Sequence, residues 1–124
     1  AKVINAGLLE SNKGVHTTNE ISLNSLTDKD IKAIKIAKKY KIKHYAMSFV
    51  NKGNDVYYLR SLLKENSIII SKIETLNALK NLSNISNQSD ALLIDRGDLS
   101  RYISISISCV KRIIVPISIP YSSN

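Results

Sequence analysis

Ile68-Ile69-Ile70-Ser71-Lys72-Ile73-Glu74 is the stretch on which the reading of this chain turns. Its first half is a run of β-branched residues, which favours extended backbone. Its second half alternates, so Lys72 and Glu74, two positions apart, point to the same side for as long as the chain stays extended. The expectation is a buried strand over 68–73 that ends in an ammonium and a carboxylate aimed at one place.

The surrounding text repeats the same unit. Before it, Val56, Leu59, Leu62 and Leu63 mark a helix from Asp55 to Glu65, with Asn54 a candidate cap after the loop at 51–54. Before that, His44-Tyr45-Ala46-Met47-Ser48-Phe49-Val50 reads as a strand. It is preceded by an amphipathic helix from Asp28 to Tyr40, which Thr27 and Asp30 open in the manner of a capping box. On the other side, Leu76, Leu79, Leu82 and Ile85 give a weaker helix, and Ala91-Leu92-Leu93-Ile94 a third strand that runs into Asp95-Arg96-Gly97-Asp98. Short apolar strands that alternate with helices, read here as buried on both faces, predict a parallel α/β sheet. A doubly wound sheet and part of a (β/α)8 barrel both satisfy that order. The chain has neither a Walker A loop nor a dinucleotide glycine fingerprint, which disfavours a nucleotide-binding sheet. Upstream, the first 24 residues read as extended or looped chain around a turn at Asn12-Lys13-Gly14. Downstream, Ile103 to Ser108 alternates strictly and Ile113 to Ile119 is again Ile-rich, which reads as strand, turn, strand.

Composition narrows the function classes. The 124 residues carry a formal charge of +8, but 14 of the 18 basic residues are Lys, and Ile, Lys, Asn and Ser make up half of the chain. That profile fits an AT-rich coding sequence, and the charge is discounted as a sign of nucleic-acid binding. The lysines of the first helix are read as a solvated face. Cys109 is the only cysteine, so an internal disulfide and a cysteine-rich zinc site are excluded. His16 and His44 lie on separate segments and do not suggest a histidine metal site. No apolar run reaches the length of a bilayer span, and Ala1 to Glu10 lacks the order of a secretory signal, from which a cytoplasmic protein without a membrane partner is expected.

In parallel α/β folds the chemistry collects at the carboxyl ends of the strands. Those ends carry Ser48, then Lys72 and Glu74, then Arg96, Gly97 and Asp98. Glu74 and Asp98 offer hard oxygen ligands suited to Mg²⁺. Lys72 offers a point charge for an anionic transition state, and Gly97 a close backbone approach to an anion. An ordinary charged pair at a strand exit, followed by a polar turn, is the plainer alternative.

At these residues the sequence resembles the pyruvate kinase family. Leu9-Glu10-Ser11-Asn12-Lys13-Gly14-Val15, Leu26-Thr27-Asp28-Lys29-Asp30, Ala46-Met47-Ser48-Phe49-Val50, Asn54-Asp55-Val56 with Leu59-Arg60 and Leu63, Ser71-Lys72-Ile73-Glu74, and Asp90 to Leu99 follow that family's blocks in order and at its separations. The resemblance covers 7–103 and leaves 104–124 as a divergent tail of a single domain spanning 1–124. It implies an α/β fold, a partial TIM (β/α)8 barrel of the phosphoenolpyruvate/pyruvate type with three to four βα units. It also implies phosphoryl transfer between phosphoenolpyruvate and ADP, or in reverse pyruvate and ATP, with Mg²⁺ and often K⁺. Carried over by position, Lys72 is the catalytic lysine, Glu74 and Asp98 hold Mg²⁺, the amides of Gly97 and Asp98 bind the substrate carboxylate, Ser48 lines the phosphate side and Arg96 supports the loop.

The chain departs from the pattern in places. His16-Thr17-Thr18 replaces a proline-glycine turn, Asp95 stands where the family has a small residue, Ser100 replaces a glycine, and nothing after Ile103 matches. Counterparts of the family's substrate arginine, K⁺ ligands and enolate-protonating threonine are not found in the 124 residues. A whole barrel needs about 250 residues. The expectation is therefore a chain inactive by itself: a fragment, the ordered part of a longer protein, or a half barrel completed by a complementary fragment or a second copy. A non-catalytic anion-binding module and another Mg²⁺-dependent lyase of the phosphoenolpyruvate/pyruvate barrels are the alternative functions.

Overall fold

A computed structural model of the chain describes residues 4–8, 11, 23–99 and 112–116, and every statement below concerns those residues. The turn at Asn12-Lys13-Gly14, His16, Cys109 and the alternating run at 103–108 lie outside them. In chain order the elements are α1 (Asp28–Lys39), β1 (His44–Met47), α2 (Gly53–Leu62), β2 (Ile68–Ile73), α3 (Leu76–Lys80), α4 (Leu82–Ser86), β3 (Ala91–Asp95), α5 (Arg96–Leu99) and β4 (Arg112–Pro116).

The start of α1 is built as expected. Thr27 is extended, its hydroxyl accepts the Asp30 N–H at 3.3 Å, and the Asp30 carboxylate accepts the Thr27 N–H at 2.8 Å. Asp28 and Asp30 face the positive end of the helix dipole and Lys38 and Lys39 the negative end. The helix stops in a Schellman turn. The Ile42 N–H bonds the Ala37 carbonyl, the Lys41 N–H bonds that of Lys38, and Lys41 takes φ 56°, a position where glycine is usual.

Two expectations about the helices fail, each for a local reason. Asn54 is not a cap, because α2 already begins at Gly53. The turn before α2 closes around Asp55 instead, whose Oδ2 accepts the N–H groups of Asn51 and Lys52 at 3.0 Å each. Gly53 is required by its neighbour: a Cβ there would lie 2.7 Å from the Asn84 carbonyl oxygen in α4. The third expected helix is broken at Asn81 into α3 and α4. There the Asn81 side chain donates to the carbonyls of Asn51 and Asn77 at 2.9 and 3.1 Å.

The sheet order is β1-β2-β3-β4, with the first three strands parallel. β2 has the boundaries expected of it. The register sets Ile70 between Ala46 and Ala91, and Lys72 beside Leu93. β4, in the Ile-rich tail, pairs antiparallel with β3 and closes that edge, so it does not continue the series of parallel βα units.

β1 and β2 are not buried on both faces, contrary to expectation, whereas in β3 the adjacent Ala91 and Leu92 are both buried. Met47, Ile69, Ile73 and Leu92 point to the side where Ile34, Val56, Leu59, Ala78 and Ile85 of the helices form one core. Ser71 is buried on that same side and bonds the Ser89 hydroxyl at 2.6 Å. On the opposite face His44, Ala46 and Ile68 are exposed and Ile70 and Leu93 half-buried. The helices cover one face only, and Lys72 belongs to the other. No described helix is long and apolar enough to cross a membrane.

Candidate active site

The carboxyl ends of β1, β2 and β3 meet at one mouth, and the residues expected to be functional gather there. Lys72 lies at the end of β2 with its side chain about a fifth exposed, between the ends of the two flanking strands. Its ammonium donates to the Glu74 carboxylate and, at 3.2 Å, to the Ser48 hydroxyl of the segment after β1. On the β3 side it faces Asp95 Oδ2 at 3.8 Å.

Glu74 is the most buried of these groups, with 1% of its side chain exposed. A carboxylate that deep needs compensation. Lys72 holds one oxygen, and the other accepts the backbone N–H of Phe49 at 2.7 Å. Phe49 reaches it in the left-handed region, with φ 53°, while its ring is largely exposed. That conformation costs a bulky L-residue roughly 1–2 kcal/mol. It turns the amide inward at the point where β1 has ended. The loop around it is tied down by side chains: Thr75 donates its hydroxyl to Asn51 Oδ1 at 2.6 Å, and Asn51 donates to the Phe49 carbonyl at 3.2 Å. The loops after β1 and β2 are thereby joined beside Glu74.

The turn after β3 supplies the remaining groups. Carboxylate oxygens of Glu74, Asp95 and Asp98 all lie within 4.8 Å of one another. Hard oxygen donors this close suit Mg²⁺ better than a softer metal. The residues present therefore fit a divalent cation. The N–H of Gly97 donates to Asp95 Oδ1 at 3.3 Å. The side chain of Arg96 lies outside the described residues.

Lys72, Glu74, Ser48, Gly97 and Asp98 thus stand at one mouth. Asp95 had been noted only as a departure from a pattern, and here it touches both Lys72 and Gly97. The Phe49 amide and the Asn51–Thr75 tie were not foreseen. A backbone donor leaves no trace in residue type, and an asparagine with a threonine is too common to be a signal.

A family model described as the pyruvate kinase barrel domain matches residues 1–116. A pyruvate kinase of Thermotoga maritima is 34% identical over 121 residues, covering 94% of this chain and 26% of that protein. One from Sporosarcina psychrophila is 37% identical over 102 residues, covering 78% of this chain and 17% of the relative. One from Buchnera aphidicola is 39% identical over 105 residues, covering 79% and 22% respectively. The chain spans about a quarter or less of the length of these relatives.

Proposed function

The chain belongs to the pyruvate kinase family, and from that premise we propose that its strand mouth is the lysine and magnesium portion of a site for phosphoryl transfer between phosphoenolpyruvate and ADP. The observation that carries the reading is the convergence of Lys72, Glu74 and Asp98 from the ends of adjacent parallel strands, with Glu74 buried and held in place by the Phe49 amide. In such a transfer the bond from phosphorus to the enol oxygen breaks as one to an ADP oxygen forms, and the protein's task is positioning and charge stabilisation. Lys72 stabilises the charge that develops on the transferring group and the enolate. Glu74 and Asp98 hold Mg²⁺, which when bound polarises substrate oxygens and neutralises their charge. The Gly97 and Asp98 amides receive the substrate carboxylate, Ser48 keeps the Lys72 ammonium directed at the phosphate side, and Arg96 supports the loop.

The same reading makes the sheet part of a (β/α)8 barrel wall in a cytoplasmic glycolytic enzyme. Its helix-free face, with Ala46, Ile68, Ile70 and Leu93, is the side that would line the barrel interior. A complementary barrel fragment or a second copy could cover that face. K⁺ enters as the family's second cation, and no residue of this chain is assigned to it.

The test is calorimetric binding of oxalate, an enolate mimic, to the chain with and without Mg²⁺, beside a coupled turnover assay with phosphoenolpyruvate and ADP. Mg²⁺-dependent oxalate binding that disappears in Lys72→Ala is expected, without turnover by the chain alone. Absence of Mg²⁺-dependent binding, or binding indifferent to Lys72→Ala, would overturn the reading.

A further inference from the structure

Asp95 occupies the two groups that an incoming anion would need. Its Oδ2 lies 3.8 Å from the Lys72 ammonium, and its Oδ1 accepts the Gly97 N–H at 3.3 Å. That oxygen also sits 3.4 Å from the position a Cβ on residue 97 would take, so the carboxylate lies against the open side of the glycine. One carboxylate bridges an ammonium and a main-chain amide. The alternation of β3 carries Asp95 to the mouth on the same side as Ala91 and Leu93, and its side chain is only 13% exposed. It is therefore held at the site by the strand itself and is poorly screened by solvent.

We propose that Asp95 is a tethered anion that competes with the anionic substrate for Lys72 and the Gly97 amide, and so sets the anion affinity of the site. The inference rests on the functional reading above and adds a regulatory residue to it. A group fixed within the same chain competes as if present at millimolar concentration or more, so an external carboxylate must displace it at a corresponding loss of affinity. Charge acts in the same direction. Asp95 adds a negative charge within 4.8 Å of the Glu74 and Asp98 carboxylates, which an incoming anion meets as repulsion. Removing Asp95 removes that repulsion. A role as a mere third metal ligand would have the opposite signature, since its loss would then weaken Mg²⁺-dependent binding.

The experiment titrates oxalate into the full chain at fixed Mg²⁺, for the wild type, Asp95→Asn and Asp95→Ala. Tighter binding is expected in the order wild type, Asp95→Asn, Asp95→Ala, with about tenfold or more between the extremes, because the asparagine loses the charge but keeps an acceptor for Gly97. A measurement on the wild type alone removes any dependence on how the variants fold: saturating oxalate should shift the Gly97 amide resonance as one carboxylate replaces another. Oxalate binding that is unchanged or weaker in both variants, or a Gly97 resonance that does not move when oxalate binds, overturns this inference and leaves the magnesium–lysine site intact. No oxalate binding by any of the three proteins overturns the functional reading itself, and this inference with it.

Discussion

The two ends of the parallel sheet each carry an ion cluster, and they are built to different ends. At the amino end, Arg60 of α2 pairs with Asp90 at 2.8 Å and donates to the Gln88 carbonyl through Nη2 at 2.8 Å and Nε at 3.3 Å. It also reaches the Ser67 carbonyl at 3.4 Å, and the Asp90 carboxylate accepts the Ile69 N–H at 2.7 Å. One cation and one anion balance, and the other partners are main-chain groups of the turns that enter β2 and β3. That cluster stitches a helix to the starts of two strands. At the carboxyl end the Lys72 ammonium meets Glu74 and Asp95, and carboxylate oxygens of Glu74, Asp95 and Asp98 lie within 4.8 Å of one another. Carboxylates held this close repel one another, which does not serve stability. It fits a cation that arrives with substrate. The same residue chemistry is thus structural where a guanidinium ties main-chain carbonyls at the strand starts, and suited to a cation where carboxylates gather at the strand ends.

The largest expected effect lies at the carboxyl end. Glu74→Gln keeps the shape but removes a buried ligand charge, and Mg²⁺ affinity should fall about a hundredfold, or about 2.7 kcal/mol. Magnesium titration followed by calorimetry would read this, and an unchanged affinity would erase the contrast between the clusters. Arg60→Ala should act the other way round. It takes the guanidinium from the Gln88 carbonyl and from Asp90, which keeps the Ile69 N–H, and about 2 kcal/mol of stability should be lost in urea unfolding. The estimate sits below the cost of breaking a fully buried pair because both side chains are about a third exposed. Oxalate affinity per folded molecule should not change, and a large loss of affinity would show that the two ends are coupled.

α2 links the clusters, starting near the mouth and carrying Arg60 at its other end. Gly53→Ala forces its first turn away from the Asn84 carbonyl, for an expected loss of between about 1 and 2 kcal/mol in the same unfolding assay. No loss would mean that α4 gives way freely. The smallest effect lies far from both clusters. The Thr27 hydroxyl, and then the Thr27 backbone N–H, hold the Asp30 carboxyl below its ordinary 3.8, aided by Lys29 and opposed slightly by burial. A depressed carboxyl contributes its stabilisation above the unfolded value and loses it as the pH falls through the folded one. Asp30→Ala should therefore cost about 0.5–1 kcal/mol at pH 6, and the gap from the wild type should close below 3.8. Thermal unfolding at pH 6 and pH 3 would measure it.

The sequence by itself determined the three parallel strands, the boundaries of β2, the cap of α1 and the pairing of Lys72 with Glu74. Each of these depends on contacts along the chain: a twofold alternation, a β-branched run, a side chain reaching three residues back. Only the tertiary structure decided that helices cover a single face, that β4 turns antiparallel, that Asn81 breaks a helix by bonding a loop thirty residues away, and that Phe49 presents its amide to a carboxylate on the next strand. It also decided that Asp95 lies against Lys72. Those contacts join segments well separated along the chain, and strand register sets which side chains meet across that gap.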